Sequence, residues 1–145
     1  MAKLRQFIRG NHGQGLAEFA LVLPILLVLL FGITEFGRVY GSKLIAQNAS
    51  REGARYAAVH TDKTEEEIEE KAEASALITS PDKGVADATK DPSTGEVTVK
   101  VTRYVTIVAP LIENCFPSTM KPKNESGEVI ENEVMVTGIT VMRLE

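Results

Sequence analysis

Three observations predict an α+β fold. One long apolar run near the N-terminus leads into helix-forming sequence, an acid-rich segment carries a helix start signal, and two later stretches are rich in β-branched residues at alternating positions. The expected architecture is a long N-terminal helix, a second amphipathic helix and a small antiparallel sheet of about three strands. At 145 residues the chain has room for one domain of roughly 100 residues beside a hydrophobic helix.

Residues 19–34 (FALVLPILLVLLFGIT) carry no charge. A helix from Leu16 to Thr34 would run roughly 28 Å, close to the thickness of a bilayer core. Three identities fit the run: a transmembrane segment, a cleaved secretory signal, or a helix that first spans a membrane and later packs in a filament. No clear small-x-small cleavage pattern follows it, which counts against the signal. Pro24 removes one helical hydrogen bond and is expected to kink or loosen the helix, leaving a carbonyl that needs another partner in lipid.

Residues 35–59 contain no proline, and Leu44, Ile45, Ala46, Gln47, Ala49 and Ala57 favour extension. Apolar or small residues at Val39, Leu44, Ala49, Gly53 and Tyr56 approximate a helical stripe, so one helix of about 40 residues from Leu16 is predicted. Gly37 and Gly41, four apart, would allow another helix to approach closely.

Thr64-Glu65-Glu66-Glu67 fits a capping box, and three acids in a first turn complement the helix dipole. Ile68, Ala72, Ala76 and Leu77 then recur at helical spacing, predicting a helix to about Ile78 that ends at residues 80–84. The acids at 65, 66, 67, 69, 70 and 73 circle this helix and read as a solvated face, not a metal site. Residues 85–90 read as a short strand, and residues 91–95 (DPSTG) as a turn. Residues 96–109 alternate at Val97, Val99 and Val101 opposite Thr98, Lys100 and Thr102, which marks a half-buried strand. Residues 133–144 read as the last strand, with Gly138 as a candidate bulge. The long loop between them, residues 110–132, holds Cys115, expected to be partly buried. The sheet is expected to pack on the second helix and the outer half of the first.

Charge is segregated. Residues 61–145 hold 17 acids against 9 Lys and Arg, whereas residues 1–60 hold 3 against 7. An acidic outer region argues against nucleic acid as a partner, because phosphate binding needs clustered cations. A single cysteine excludes an intramolecular disulfide and a CxxC centre. The two histidines, His12 and His60, fall at opposite ends of the long helix. With no phosphate loop and no nucleophile elbow, the chain is expected to be no enzyme and to need no metal or cofactor.

The remaining signal lies at the entry to the apolar run. Lys3, Arg5 and Arg9 precede Gly13, and Glu18 stands five residues beyond it, followed by Phe19. A carboxylate inside a membrane span costs up to about 3 kcal/mol at the bilayer centre and less towards the interface, so a use for Glu18 is expected. Residues 13–58 resemble the TadE-like pseudopilin domain of the tight-adherence (Flp, type IVc) pilus. The resemblance rests on the Gly-Gln-x-x-x-Glu-Phe-Ala entry, the Leu23-Pro24 pair and the Glu-Gly-Ala-Arg-Tyr-Ala-Ala close at residues 52–58. It covers about a third of the chain.

That resemblance implies a pilin-type helix and three regions: a basic leader, 1–13, removed by a prepilin peptidase; a transmembrane and stalk helix, 14–60; and an acidic α/β head, 61–145. Cleavage would fall between Gly13 and Gln14, making Glu18 the fifth mature residue, able to pair with its own or a neighbour's terminal amine. The implied partners are the peptidase, other pilin or pseudopilin subunits, the inner-membrane assembly platform and the membrane itself. The implied setting is the inner membrane, single-pass, head outside, with passage into the extracellular pilus for adhesion. The competing reading is a membrane-anchored periplasmic or surface binding module that never assembles.

Overall fold

A computed structural model describes residues 12–77, 84–109 and 112–144. The basic leader at Lys3, Arg5 and Arg9, the helix end at Ile78 with its stop at residues 80–83, and the first loop residues Pro110 and Leu111 lie outside the described residues. Helix α1 (His12–Val59) runs unbroken for 48 residues through Pro24. It begins four residues before Leu16, because apolarity marked the run and not the helix. Polar residues extend the helix outward, and Gln14 Nε2 donates to Glu18 Oε1 at 3.0 Å across one turn.

Helix α2 (Glu65–Leu77) opens with the expected capping box. Thr64 Oγ1 accepts from the Glu67 amide at 3.3 Å while Glu67 Oε2 accepts from the Thr64 amide at 3.0 Å. Lys63 Nζ reaches Glu67 Oε1 at 2.8 Å. This hydrogen bond, followed by that from the Thr64 backbone, holds the Glu67 carboxyl below its usual range.

Three antiparallel strands follow: β1 (Gly84–Asp91), β2 (Glu96–Thr106) and β3 (Glu133–Arg143), in the spatial order β1-β2-β3. The β1–β2 turn closes at Gly95, where φ is +68°, a left-handed conformation that favours glycine. Asp91 organises it, accepting through Oδ1 from the Ser93 amide at 2.8 Å and through its carbonyl from the Gly95 amide at 2.9 Å.

One sheet face holds the core. Val97, Val99, Val101 and Val105 of β2, Val134 and Val136 of β3, and Ala86 and Ala88 of β1 are buried beneath the two helices. The upper half of α1 supplies Val39, Ala46, Ala49, Ala54 and Ala57, and α2 supplies Ile68, Ala72 and Ala76. Small residues dominate the helical side, so the backbones approach closely. Gly138 shows how closely: a Cβ there would lie 2.5 Å from the carbonyl carbon and oxygen of Ala46. It is not a bulge, since β3 pairs in regular register through Val101↔Gly138. The missing side chain admits α1.

Two further expectations change. The acids of α2 do more than face solvent. Glu65, Glu69 and Glu73, four apart, accept from the outward amides of Lys90, Ala88 and Ala86 at 2.7, 2.9 and 3.1 Å. Together they cap the edge of β1, whose unpaired N–H groups would otherwise be open to another strand. Cys115 is exposed, not partly buried; its neighbour Phe116 turns inward instead. The loop around it is organised by two short 3₁₀ turns (Glu113–Cys115 and Ser118–Met120) and a Lys123↔Val129 bridge.

Candidate functional site

The exposed half of α1 and its junction with the head form the candidate site. Every residue from 14 to 31 is exposed, and 13 large apolar side chains between Leu16 and Ile33 are open, from Leu23 at 36% to Leu21 at 76%. Burying one such side chain is worth about 1.5–3 kcal/mol. Because these side chains are on average a little over half exposed, leaving them in water would forfeit on the order of 10–20 kcal/mol, as much as the ~5–15 kcal/mol that holds a domain folded. Lipid or protein must cover this surface. By length and composition the helix can cross a membrane.

Gly13 and Gln14, the residues flanking the expected cleavage point, lie in the first turn of α1. Glu18 and Phe19 follow on the exposed helix, and the Gln14 side chain already reaches the Glu18 carboxylate. Pro24 lies within the exposed apolar stretch. A Cβ at Gly37 or Gly41 would meet nothing within 4 Å, so both face open space at the foot of the head. The structure brings Gln14 and Glu18 together; it does not bring them near Gly37 or Gly41, five turns further along.

Glu35 is the functional residue that sequence reasoning passed over. It is 4% exposed at the head's lower edge. Its Oε1 accepts from the amides of Val108 at 2.8 Å and Ala109 at 3.0 Å, and its Oε2 pairs with Arg38 Nη1 at 3.0 Å. The carboxylate thus ties the segment after β2 to the helix where the apolar run ends. This explains why β2 stops at Thr106 and not at Ala109: the Ile107 amide goes to Asn132 O at 2.7 Å and the next two go to Glu35. The available signal was an acid placed at the end of the uncharged apolar run. Phe36 adds a tilted ring contact with Phe116, centroids 5.1 Å apart.

Among the described residues no group of three or more His, Cys, Asp or Glu is placed to hold a metal ion. Fold and site together describe an α+β head whose core incorporates the upper half of one long helix, with the lower half exposed, largely apolar and, by length and composition, able to span a bilayer. Residues 13–55 match the family model described as TadE-like protein, a match consistent with a TadE-like pilin of the Tad pilus. The match lies on α1 and stops before α2. No curated protein and no solved structure matches the chain.

Proposed function

We propose that the protein is a minor pilin or pseudopilin of a Tad/Flp-type pilus, trimmed by a prepilin peptidase after Gly13 and assembled through α1. In this role it is a building block and a peptidase substrate, not an enzyme. The observation that carries the reading is the lower half of α1, largely apolar and exposed from residue 14 to 31, yet continuous with a helix that is core to the head. A helix so joined transmits its position in a bundle rigidly to the head, which suits a filament subunit.

The N-terminal chemistry supports the same reading. Cleavage after Gly13 would create an amine on Gln14, and the 3.0 Å contact from the Gln14 side chain shows that residue 14 lies within reach of Glu18. An unpaired carboxylate in low dielectric is costly, so an amine from the same or a neighbouring subunit would neutralise Glu18 and set the register between helices. The head, with its excess of acids, would face outward; at 85 residues it is large for a bulk subunit, which favours priming, tipping or regulating the filament.

Intact mass and N-terminal sequencing of the protein from its host, with and without the cognate peptidase, test the proposal. The expected mature chain begins at Gln14 and depends on that peptidase, and Glu18→Ala is expected to be trimmed yet absent from pili. A chain that still begins at Met1, or a Glu18→Ala variant that assembles normally, would contradict it.

A further inference from the structure

The apolar run is short. Glu18 bounds it on one side and Glu35 with Arg38 on the other, leaving the 16 residues 19–34, about 24 Å of helix. A bilayer core is about 30 Å thick. The head overlaps even this short length: a groove of about 650 Å³ opens between Val28, Phe31 and Thr34 on the helix and Val108, Ala109 and Ile112 on the head, with the paired Glu35 and Arg38 closing its upper end. A Cβ at Gly32 would touch Ile112 Cδ1 at 4.0 Å, so the head reaches one turn below Glu35. If residues 19–34 span the core, the foot of the head lies at the depth of the last two helical turns.

The chemistry of that foot suits such a depth. Val108 is 73% exposed and stands beside Phe31 and Thr34 with no charged neighbour on its own segment from residue 107 to 109. Backbone amides at membrane depth need partners within the protein. The amides of Val108 and Ala109 have one, Glu35 Oε1, and Arg38 balances the carboxylate. The partly exposed, Glu35-paired Arg38 and the exposed Lys43 then stand roughly one and two and a half turns above Thr34, where anionic headgroups would meet them. Tyr40, 67% exposed between them, is the kind of side chain found at that level.

We infer that the foot of the head, centred on Val108 and the groove beside Phe31, is a lipid-facing surface that seats the head in the interface of the bilayer on its own side. This surface offsets the shortness of the helix and fixes the head's height. The inference rests on the helix spanning a membrane, and not on later assembly into a filament.

Depth-dependent fluorescence quenching tests it. The full chain with Cys115→Ser would carry a single labelled cysteine at Val108, Ile139 or Leu26, reconstituted in phosphatidylcholine–phosphatidylglycerol vesicles doped with lipids bearing a nitroxide at a shallow or a deep acyl position. Leu26 is the mid-membrane reference, and Ile139, exposed on the open sheet face, is the solvent reference. The expected result is quenching at Val108 by the shallow nitroxide several-fold above that at Ile139, with Leu26 quenched most by the deep one. Quenching at Leu26 but not at Val108 would overturn the inference while leaving the membrane span intact. No quenching at either would overturn both. Val108 fluorescence that responds only to protein-to-lipid ratio would mean that a second copy fills the groove, which also overturns it.

Discussion

Residues 14–34 and 35–59 of α1 share one unbroken backbone, but their side chains differ in kind. The lower half is mostly leucine, valine, isoleucine and phenylalanine, exposed from residue 14 to 31. The upper half buries a narrow stripe that includes Val39, Ala46, Ala49, Ser50, Gly53, Ala54 and Ala57, and places charged residues such as Lys43, Arg51 and Arg55 among the exposed positions. The difference is one of solvent. A helix surrounded by lipid or by other apolar helices has no polar face to maintain, whereas a helix built into a small head must present a close-fitting stripe to the sheet.

Breaking the close fit should give the largest effect. Gly138→Ala places a methyl group against the Ala46 backbone, which cannot turn aside as a side chain would. A cost of about 3 kcal/mol is expected, near the upper end of overpacking effects. It would be read as a lower denaturant midpoint for the head in detergent. Leu26→Ala, in the lower half, should leave that midpoint unchanged. Equal losses from both would show that the halves are not energetically distinct.

The boundary itself is tested by Glu35→Ala. The change strands two amides and removes the partner of Arg38, so about 2 kcal/mol of head stability should be lost. Hydrogen exchange at Val108 and Ala109 should accelerate more than at Val99 in the centre of β2. Uniform acceleration would mean that Glu35 is no local clamp.

The smallest effects lie away from α1, at the start of α2. Thr64→Ala removes the cap of the Glu67 amide and should cost about 1 kcal/mol. The Glu67 carboxyl is held below its usual range in the folded state, so its contribution is present above the ordinary glutamate range and is lost as pH falls through the depressed value. The stability gap between the wild type and Glu67→Gln should therefore be full at neutral pH and shrink under acid; denaturation midpoints across pH check this.

Much of this was legible residue by residue. The capping box at Thr64 and Glu67 names its own hydrogen bonds, the alternation of Val97, Val99 and Val101 names the buried face of β2, and Asp91 to Gly95 names a turn. What escaped depends on contacts far apart in the chain. Gly138 announces that a side chain is unwelcome, but only the fold shows that a helix and not a bulge is the reason. Glu65, Glu69 and Glu73 share one helix face by spacing, yet their role appears only when an edge strand lies beside them. Glu35 drew no notice in the sequence because its two amide partners lie more than seventy residues away. Local rules carry no information about such distant partners.

The most direct test of the account is a chimera that keeps residues 13–19 and replaces residues 20–34 with a leucine–alanine helix of equal length. If neighbouring subunits read the lower helix surface, as proposed, the chimera is expected to be trimmed, anchored and folded in its head, yet missing from sheared pili. A chimera recovered in pili at wild-type levels would contradict the account and leave the helix a mere tether.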